Sequence, residues 1–515
     1  MKLVNEAEAV RLIPAGATVA TQGFTMFAHP EALTAALEKR FLDEGAPRDL
    51  TVMFSAAIGD GDKKGMNHLA HDGLVRRVIA AGWRASPRLA DLAKDEKLEA
   101  YGWPQGAIAQ LYRATAAGQP GILTRIGLNT FVDPAHGGGR LNASAREELV
   151  KRMNVGGADY LFFPSIPVDC ALLRGTTADA DGNISMEHEA FPMDALSIAQ
   201  ATRASGGIVI VQVKRLCATG ELDPLKVQIP GLLVDYVVVT ADPAQHWMGV
   251  AEEYNPAFSG ETRAVLKELD PLPLTPDKVV QRRAFLELRD LTRPIVNLGV
   301  GIPSGVGQIA NEEGKHDLVF TVESGVIGGV PAAARSFGAS WNPAAIIPQS
   351  AQFDFYDGGG LDVTCLGMAE LDVAGNVNVS KFAGRINGIG GFINISQTAR
   401  KVIFVGSFNT GGTKLAIGDK GLRVETEGRI RKIVPNVEHL SFNAGFAVES
   451  GQSVLYITER AVFTVRDGKL TVIEIAPGLD PKRDIVEHLP DGVVIASDCR
   501  TMDLKLFAQT SMARA

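Results

Sequence analysis

Short apolar runs, rich in β-branched residues, alternate along the chain with longer stretches of helical length. The runs at 206–213, 234–240, 317–322 and 401–407 have the length and composition of buried strands. Between such runs lie segments such as PEALTAALEKRFLDEG at 30–45, whose length indicates a helix. Strands that alternate with helices are typical of βαβ units around a mainly parallel sheet. The pattern therefore predicts an α/β fold.

The strand and helix pattern occurs twice. In the first half, ATVATQGF at 17–24 is followed by a helix and then by DLTVMFSAAIG at 49–59. In the second half, RPIVNLGVGIP at 293–303 is followed by a helix and then by DLVFTVESGVIGG at 317–329. Each copy contains a strand, a glycine-containing turn, a helix, a second strand and a second glycine-containing turn. This order predicts two related open α/β domains in tandem, each with a mainly parallel sheet.

A further repeat and a proline-rich connector support a division into two domains. ADADGNIS at 178–185 matches LDVAGNVNVS at 371–380, and the Gly-Asn pair in each supplies the residues of a tight hairpin turn. Prolines are frequent at 241–285, where Thr275 and Pro276 are types preferred at the N-cap and first position of a helix. We therefore predict a boundary near residue 275. The predicted domains are 1–274, which includes a connector at 241–274, and 275–515.

Charge and composition argue against several classes of function. The chain of 515 residues has a net charge of −8 and a pI near 5.7, which disfavours general attraction to nucleic acid or an anionic membrane. Its histidines and cysteines have no metal-ligand spacing, so we expect reduced thiols and no bound metal. The acidic start does not fit a signal peptide, and no apolar run reaches the about 20 residues of a membrane-spanning helix. We therefore expect a cytoplasmic protein with neither nucleic-acid nor membrane partners.

One acidic residue lies where the two halves differ. Aligning 49–59 with 317–329 places Ser55 opposite Glu323, each at the carboxyl end of a strand. Ligands of open α/β sheets bind at this edge. A carboxylate directly after the apolar run VFTV is costly to bury without partners, so it either serves chemistry or caps the turn and leaves for solvent. The spacing alone leaves both interpretations open.

Glycines are concentrated downstream of Glu323. NGIGGFINIS at 387–396 contains Gly388, Gly390 and Gly391, which can expose successive backbone N–H groups to an anion or a developing oxyanion. A glycine-rich turn between strands is the alternative explanation of the same segment.

Seven motifs follow one another in order along the chain. They are WPQG (103–106), GLNTFVDP (127–134), NLGVGIP (297–303), VESGVIGG around Glu323, AQFDFYDGGGLD (351–362), GNVNVSKF (375–382) and NGIGGFINIS (387–396). Together they resemble the family I coenzyme A transferases, most closely the single-chain propionate or acetate CoA-transferases with both domains fused. The resemblance implies CoA-transferase domains of the sugar-phosphate-isomerase-like type, with an active-site cleft between them.

The resemblance implies a catalytic role for three residues. Glu323 matches the family's catalytic glutamate, which attacks an acyl-CoA thioester and then carries CoA as a glutamyl-CoA thioester. Gln105 matches the side-chain donor of the oxyanion hole, and the backbone N–H of Gly391 matches its second donor. The implied reaction is the ping-pong transfer of CoA from a short-chain acyl-CoA to a carboxylate acceptor such as acetate or propionate.

The resemblance also implies which groups meet the substrates. Coenzyme A is then a co-substrate and no cofactor is tightly bound. We expect Gly388, Gly390, Asn378 and Lys381 to contact CoA, with solvated surface charge as the alternative for the lysine. The family precedent implies a homodimer or a homotetramer. Two positions depart from the heterodimeric relatives, which have Glu-Asn-Gly in place of Glu-Ser-Gly and a glycine in place of Ala28.

Two other functions are compatible with the same sequence. An acyl-CoA hydrolase would use Glu323 but let water resolve the intermediate, so it would release free CoA without an acceptor acid. A ligand-sensing module of the same fold would lack a committed nucleophile and usually carries a DNA-binding segment. No basic helix-turn-helix signature is evident in the chain.

Overall fold

Two α/β halves follow each other along the chain, and each is built on one large sheet. The computed structural model describes residues 1–265 and 271–512. The predicted fold class, two tandem α/β domains with mainly parallel sheets, is confirmed. The four apolar runs and the helical segment singled out in the sequence form Ile208–Val213, Tyr236–Val239, Val319–Val322, Lys401–Val405 and the helix Glu31–Glu44.

The sheet of the first half has eight strands, and every neighbouring pair is parallel. Buried Val, Ile, Leu and Ala residues fill these strands because helices cover both faces of such a sheet. From edge to edge the strands are Lys2–Leu3, Tyr236–Val239, Ile208–Val213, Cys170–Arg174, Thr18–Thr21, Leu50–Phe54, Val75–Ala80 and Glu99–Gly102.

The sheet of the second half has ten strands with a parallel centre, antiparallel pairs on both sides of it, and a final parallel pair at the edge formed by Val494–Thr501. The parallel centre runs from Val319–Val322 to Ser453–Ile457. From edge to edge the strands are Ala345–Ile346, Val326–Ile327, Val319–Val322, Ile295–Leu298, Val363–Gly367, Lys401–Val405, Ser453–Ile457, Ala461–Arg466, Lys469–Ile475 and Val494–Thr501.

The two sheets share one strand order across corresponding positions. The order from Tyr236–Val239 to Glu99–Gly102 in the first half is repeated from Ser453–Ile457 to Ala345–Ile346 in the second. The copies differ after the strand Val319–Val322, because a turn of three residues, 323–325, leads directly into an antiparallel partner. A parallel pair would need a crossover of a dozen or more residues.

Helices connect the strands and cover the sheets. The first half contains Glu6–Arg11, Glu31–Glu44, Pro87–Lys94, Gln105–Ala116, Ala195–Ala204 and Pro256–Ser259. The second half contains Pro276–Arg289, Gly305–Glu312, Gln349–Asp357, Phe392–Thr398 and Ala444–Glu449. The helix predicted to start at Thr275 does so, and the Thr275 hydroxyl accepts a hydrogen bond from Lys278 N at 3.3 Å. The domain boundary near residue 275 stays a prediction, and residues 266–270 of the predicted connector lie outside the described residues.

The two predicted Gly-Asn hairpins are present and are built alike. Thr177–Ala178 pairs antiparallel with Ile184–Ser185, and Glu370–Asp372 pairs antiparallel with Val377–Asn378. In each turn an aspartate carboxylate accepts the asparagine N–H four residues on, at 2.9 Å, while the glycine between them has a positive φ. The shared turn chemistry explains why both copies keep an Asp, a Gly and an Asn.

Both halves also contain small sheets of two to four short strands outside the two large sheets. The larger of these combine Arg215–Leu216 with Val227–Ile229 and the first hairpin, Gly121–Thr124 with Lys151–Val155 and Ala158–Pro164, and Ile433–Val434 with the second hairpin. The two-stranded ribbons are Val330–Pro331 with Ser340–Trp341, Lys381–Phe382 with Arg385–Ile386, Asn409–Thr410 with Ile430–Arg431, and Lys414–Gly418 with Gly421–Thr426. No helix among the described residues is long and apolar enough to cross a bilayer.

Candidate active site

Two helices, one from each half, meet at the interface between the domains. Gln105–Ala116 of the first half packs against Gln349–Asp357 of the second. Gly106 N donates to the Asn394 Oδ1 at 3.2 Å, and Asn394 Nδ2 in turn donates to the Asp357 carboxylate at 2.9 Å. A Cβ on Gly106 would lie 2.4 Å from Asn394 Nδ2 and 2.7 Å from the Phe353 ring. The glycine of the Pro-Gln-Gly motif is therefore required by the close approach of the two halves.

Glu323 begins the three-residue turn that follows the strand Val319–Val322. The next residue, Ser324, is held by a hydrogen bond from its hydroxyl to the Gly338 carbonyl at 2.6 Å. Gly325 closes the turn with φ of +108°, and a Cβ there would lie 2.0 Å from the Ile347 carbonyl oxygen. Ser324 and Gly325 thus fix the backbone of the turn, and the Glu323 side chain takes no part in these contacts.

The carboxyl group of Glu323 is buried and has an oxygen without a partner. Its Oε2 makes no hydrogen bond to any described residue. Burial raises the pKa of Glu323, while the Asn297 side chain nearby opposes that rise. Asn297 lies on the adjacent strand Ile295–Leu298 and comes within 3.4 Å of the Tyr356 hydroxyl. A carboxyl group held this way is desolvated, and its Oε2 has no hydrogen bond among the described residues that a reaction would have to break.

An apolar cluster assembled from both halves surrounds the base of this turn. Val322 and Val326, which flank the turn, are fully buried in it. Aromatic rings of the two halves touch there, with the Phe24 and Phe337 centroids 5.8 Å apart. The first half also contributes Phe27, Ala28, Ala56, Phe191 and Met193. The base of the turn that carries Glu323 is therefore apolar, which limits the access of water from that side.

The predicted oxyanion donors meet where the glycine-rich segment crosses to the first half. Ile389 N and Gly390 N both donate to the Ala81 carbonyl, at 2.6 and 2.9 Å, and Gln105 N donates to the Gly390 carbonyl at 3.0 Å. The N–H of Gly391, the next residue, makes no hydrogen bond within residues 1–265 or 271–512. The structure thus brings the Gln105 side chain and the open Gly391 N–H to adjacent places.

The Gln105 amide is held by a buried network that the sequence did not predict. Its Nε2 donates to Gln349 Oε1 at 2.8 Å. Gln349 Nε2 donates to Ser55 Oγ at 2.8 Å and to Asp194 Oδ2 at 2.7 Å, and Ser55 Oγ donates to the same Asp194 oxygen at 2.6 Å. Burial raises the pKa of Asp194 to about 7, opposed by the Ser55 hydrogen bond. The network links the two domains beside the proposed donor.

A sequence signal for Gln349 existed but was missed. Both helices at the interface begin with Gln directly after Pro, as Pro104-Gln105 and Pro348-Gln349, with nearly identical backbone angles at the two prolines. The two Pro-Gln dipeptides stand at corresponding places in the two halves, which is a repeat signal visible in the sequence. Asp194 offered no comparable signal, because its role depends on contacts with residues over 130 positions away.

The residues predicted to contact CoA lie at the same interface and have protein partners. Gly388 approaches the first half so closely that a Cβ would lie 2.4 Å from the Ala81 carbonyl oxygen. Asn378 is buried, and its Nδ2 donates to Glu370 Oε2 and to the Lys381 carbonyl, each at 2.7 Å. Lys381 Nζ donates to the Leu141 carbonyl at 3.2 Å. Their contacts with CoA, like that of Gly390, stay predictions.

The arrangement offers a nucleophile and two neutral N–H donors. In the part of the chain that the structure describes, no group of three or more His, Cys, Asp or Glu side chains is arranged to hold a metal ion. A buried carboxyl group with an unpartnered oxygen, together with N–H donors, supplies the kinds of group that covalent acyl chemistry uses, because negative charge develops there on a carbonyl oxygen.

Comparisons with known proteins show which family the chain belongs to. The family described as Coenzyme A transferase matches residues 4–240. The Caffeate CoA-transferase of Acetobacterium woodii is 44% identical over 514 residues, covering 99% of this chain and 98% of that protein. The Acetate CoA-transferase YdiF of Escherichia coli O157:H7 is 41% identical over 512 residues, covering 99% and 96%. The crystal structure of E. coli O157:H7 acyl-CoA transferase YdiF, a thioester complex with CoA, matches with a TM-score of 0.92 at 41% identity, covering 99% of this chain and 96% of that one. The chain therefore belongs to the coenzyme A transferase family and is a CoA-transferase.

Proposed function

We propose that the chain transfers CoA from a short-chain acyl-CoA to a carboxylate acceptor by ping-pong chemistry through a thioester on Glu323. The single observation that carries this proposal is the buried Glu323 carboxyl group, whose Oε2 has no partner among the described residues. Glu323 directly follows a parallel strand and so lies at the carboxyl edge of the sheet, where ligands of α/β proteins usually bind. The thioester complex reported for YdiF supports a covalent intermediate.

In the proposed steps the energy of the thioester bond is kept, first in an anhydride and then in a new thioester. A carboxylate oxygen of Glu323 attacks the thioester carbonyl, and collapse of the tetrahedral adduct breaks the C–S bond to give a mixed anhydride and the CoA thiolate. The thiolate attacks the glutamyl carbonyl and displaces the substrate as a free carboxylate, which leaves a glutamyl-CoA thioester. The acceptor acid then reverses both steps. No water, oxidant or additional cofactor is consumed.

Each tetrahedral adduct places negative charge on an oxygen, and two donors are available for it. The Gln105 Nε2 group has a second N–H beyond the one given to Gln349, and the Gly391 N–H is unused within the described residues. Loss of one such donor in related acyl transfers costs about 10²–10³ in kcat. The apolar cluster around Val322 and Val326 limits hydrolysis of the anhydride and the thioester.

The strand register suggests where the thiol end of CoA approaches. Asn297 pairs with Thr321, so the loops that follow the strands Ile295–Leu298 and Val319–Val322 leave the same edge of the sheet next to each other. The loop that continues at Val300 is exposed, whereas the other side of Glu323 is packed against the apolar cluster. This supports an approach of the thioester over the loop 299–301.

Trapping of the intermediate tests the proposal. The protein is incubated with acetyl-CoA or propionyl-CoA, treated with borohydride or hydroxylamine, and mapped by peptide mass spectrometry. We expect the label on Glu323 and none on Glu459, another buried glutamate, which serves as an internal control; Glu459 Oε1 also has no hydrogen bond among the described residues but lies 3.6 Å from the Arg460 guanidinium. An unlabelled Glu323, or full exchange activity in Glu323→Gln, contradicts the proposal.

Product analysis separates transfer from hydrolysis and ranks the acids. Wild-type protein is assayed with acetate, propionate, butyrate and caffeate as acceptors, and without any acceptor. We expect new acyl-CoA only when an acid is present and little free CoA in its absence. Free CoA formed without an acceptor, at the rate seen with one, identifies a hydrolase. A cytoplasmic location and a homodimeric or homotetrameric assembly stay predictions.

A further inference from the structure

Three residues repeat the places of the proposed catalytic set in the opposite half. Ser55 follows the strand Leu50–Phe54, as Glu323 follows the corresponding strand Val319–Val322. Asp194 directly precedes the helix Ala195–Ala204, as Gly391 precedes Phe392–Thr398.

The third member is Gln349, which begins its helix after Pro348 as Gln105 begins its helix after Pro104. Ser55, Gln349 and Asp194 are named the mirror set below. The duplicated fold therefore contains two equivalent places, and in this one the nucleophile is replaced by a serine.

The side chains of the mirror set hydrogen-bond to one another instead of to a substrate. All three residues are buried, and Asp194 Oδ2 accepts from both Ser55 and Gln349. Among the described residues, the one hydrogen bond that the three side chains make outside the mirror set is at Gln349 Oε1, which accepts from Gln105 Nε2 at 2.8 Å. This side-chain connection leads to the proposed oxyanion donor.

The polarity of these bonds fixes which way each amide faces. In its ionised form Asp194 only accepts hydrogen bonds, so above its raised pKa of about 7 it requires the NH₂ group of Gln349 to face it. The Gln349 carbonyl oxygen then faces Gln105 and requires an NH₂ group there. A Gln105 amide turned by 180° would place a carbonyl oxygen against Gln349 Oε1, and would turn a donor away from the developing oxyanion.

We propose that the mirror set is a positioning device, in which Asp194 acts through Gln349 to hold the Gln105 amide with an N–H towards the reacting carbonyl oxygen. This inference rests on the proposed function of Gln105. Asp194, Gln349 and Ser55 are positioning residues and do not touch the substrate.

The described side chains around the Asp194 carboxyl group are uncharged. Ser55 comes from the loop after its strand, Gln349 from the helix of the second half, and Tyr112 from the helix Gln105–Ala116. The Tyr112 phenol is buried, and burial, together with the charge of Asp194, raises its pKa well above the usual value, so it stays neutral. Burial raises the pKa of Asp194 to about 7, and the hydrogen bonds that Oδ2 accepts from Ser55 and Gln349 favour the ionised form against it.

Asp194→Asn and Gln349→Met each break the relay at one step. The Asp194→Asn side chain could present either its NH₂ group or its carbonyl oxygen to Gln349, so it would no longer fix the orientation of that amide. The Gln349→Met side chain keeps its length but has neither the NH₂ group nor the carbonyl oxygen. We expect each variant to lower kcat by roughly 10- to 100-fold, less than or equal to the loss of a whole oxyanion donor, with little change in KM for acyl-CoA. Full activity in both variants overturns the proposal.

A double-variant cycle separates positioning from a general structural effect. In a Gln105→Ala background the mirror set has nothing left to position, so adding Asp194→Asn or Gln349→Met should change kcat by less than about 2-fold. A variant that merely weakens the fold would instead lower kcat by the same factor in both backgrounds. That additive result overturns the proposal, and having two variants keeps the test valid if one fails to fold.

Gln397→Met is the matched control. The Gln397 side chain also bridges the two halves, accepting from Gly127 N at 2.8 Å and donating to the Leu128 carbonyl at 2.9 Å, but it has no bond to Gln105. We expect near wild-type kcat from it. Full activity of Gln105→Ala contradicts both the proposed donor and the mirror-set proposal. A slow Gln105→Ala with additive losses contradicts the mirror-set proposal alone.

Discussion

Substitution of Gly106 by alanine should destabilise the protein, although alanine is the better helix former. Gly106 is the second residue of the helix Gln105–Ala116, where glycine costs about 1 kcal/mol relative to alanine in an ordinary helix. Here the added Cβ would lie 2.4 Å from Asn394 Nδ2 and 2.7 Å from the Phe353 ring. The sign of the effect is therefore expected to reverse.

The magnitude follows from what must move. Overpacking of this kind costs about 2 kcal/mol. Displacing the Asn394 side chain also weakens its bonds to Gly106 N and to Asp357, at about 1 kcal/mol each. After subtracting the helical gain, the net loss is about 3 kcal/mol, which corresponds to a fall in Tm of roughly 6–12 °C for a domain of this size. Because Gln105 is adjacent, kcat should fall as well.

Calorimetry or thermal circular dichroism, together with a CoA-exchange assay, measures both effects. Gly418→Ala is the control, because Gly418 is exposed, has no positive φ, and would bring its Cβ within 4 Å of no described atom beyond its chain neighbours. We expect the control to keep or raise Tm. A Gly106→Ala protein as stable and as active as wild type refutes the reasoning that the interface requires a glycine here.

Three further predictions follow from single contacts. Gln105→Ala should lower kcat about 10²–10³-fold with little change in KM, as steady-state kinetics will measure. Burial lowers the pKa of His68, but its hydrogen bonds to two glutamates, Glu31 among them, outweigh this and raise the pKa overall. Its protonation therefore adds stability that is complete below about pH 6.5 and is lost as pH rises through the higher folded value, so His68→Gln should flatten that part of a Tm–pH curve. Arg174 and Glu189 form a buried ion pair at 2.9 Å, so Arg174→Met should cost about 3–5 kcal/mol of unfolding free energy, with partial recovery in Arg174→Met/Glu189→Gln.

The fold was largely predictable because its signals are local. Each buried parallel strand needs an uninterrupted apolar run, so Ile208–Val213 and Lys401–Val405 could be recognised without knowledge of their neighbours. The Gly-Asn hairpins were equally visible, because their turn chemistry is contained within a few residues. The antiparallel strands Val326–Ile327 and Ala345–Ile346 were not predicted, since two-residue strands carry no periodicity.

The site was only partly predictable, because its geometry depends on contacts between distant segments. Glu323 and Gln105 were identified through motifs that resemble a family, and their roles stay proposals. Gln349 and Asp194 lie 155 positions apart yet share a hydrogen bond of 2.7 Å. No pattern along one sequence encodes such a pair. Only the folded arrangement shows that Ser55, noted in the sequence as the counterpart of Glu323, is bonded to Asp194.

The chemistry of the mirror set explains why a serine suits position 55, the counterpart of Glu323. A glutamate at that position would put a second carboxyl group beside Asp194, and like charges in one buried site force one group to take up a proton. A protonated Asp194 could then donate as well as accept, and the orientation of Gln349 would no longer be fixed. A serine hydroxyl instead donates to Asp194 and favours its ionised form. Under the proposed mechanism, loss of the nucleophile in one half is what allows that half to orient the oxyanion donor for the other.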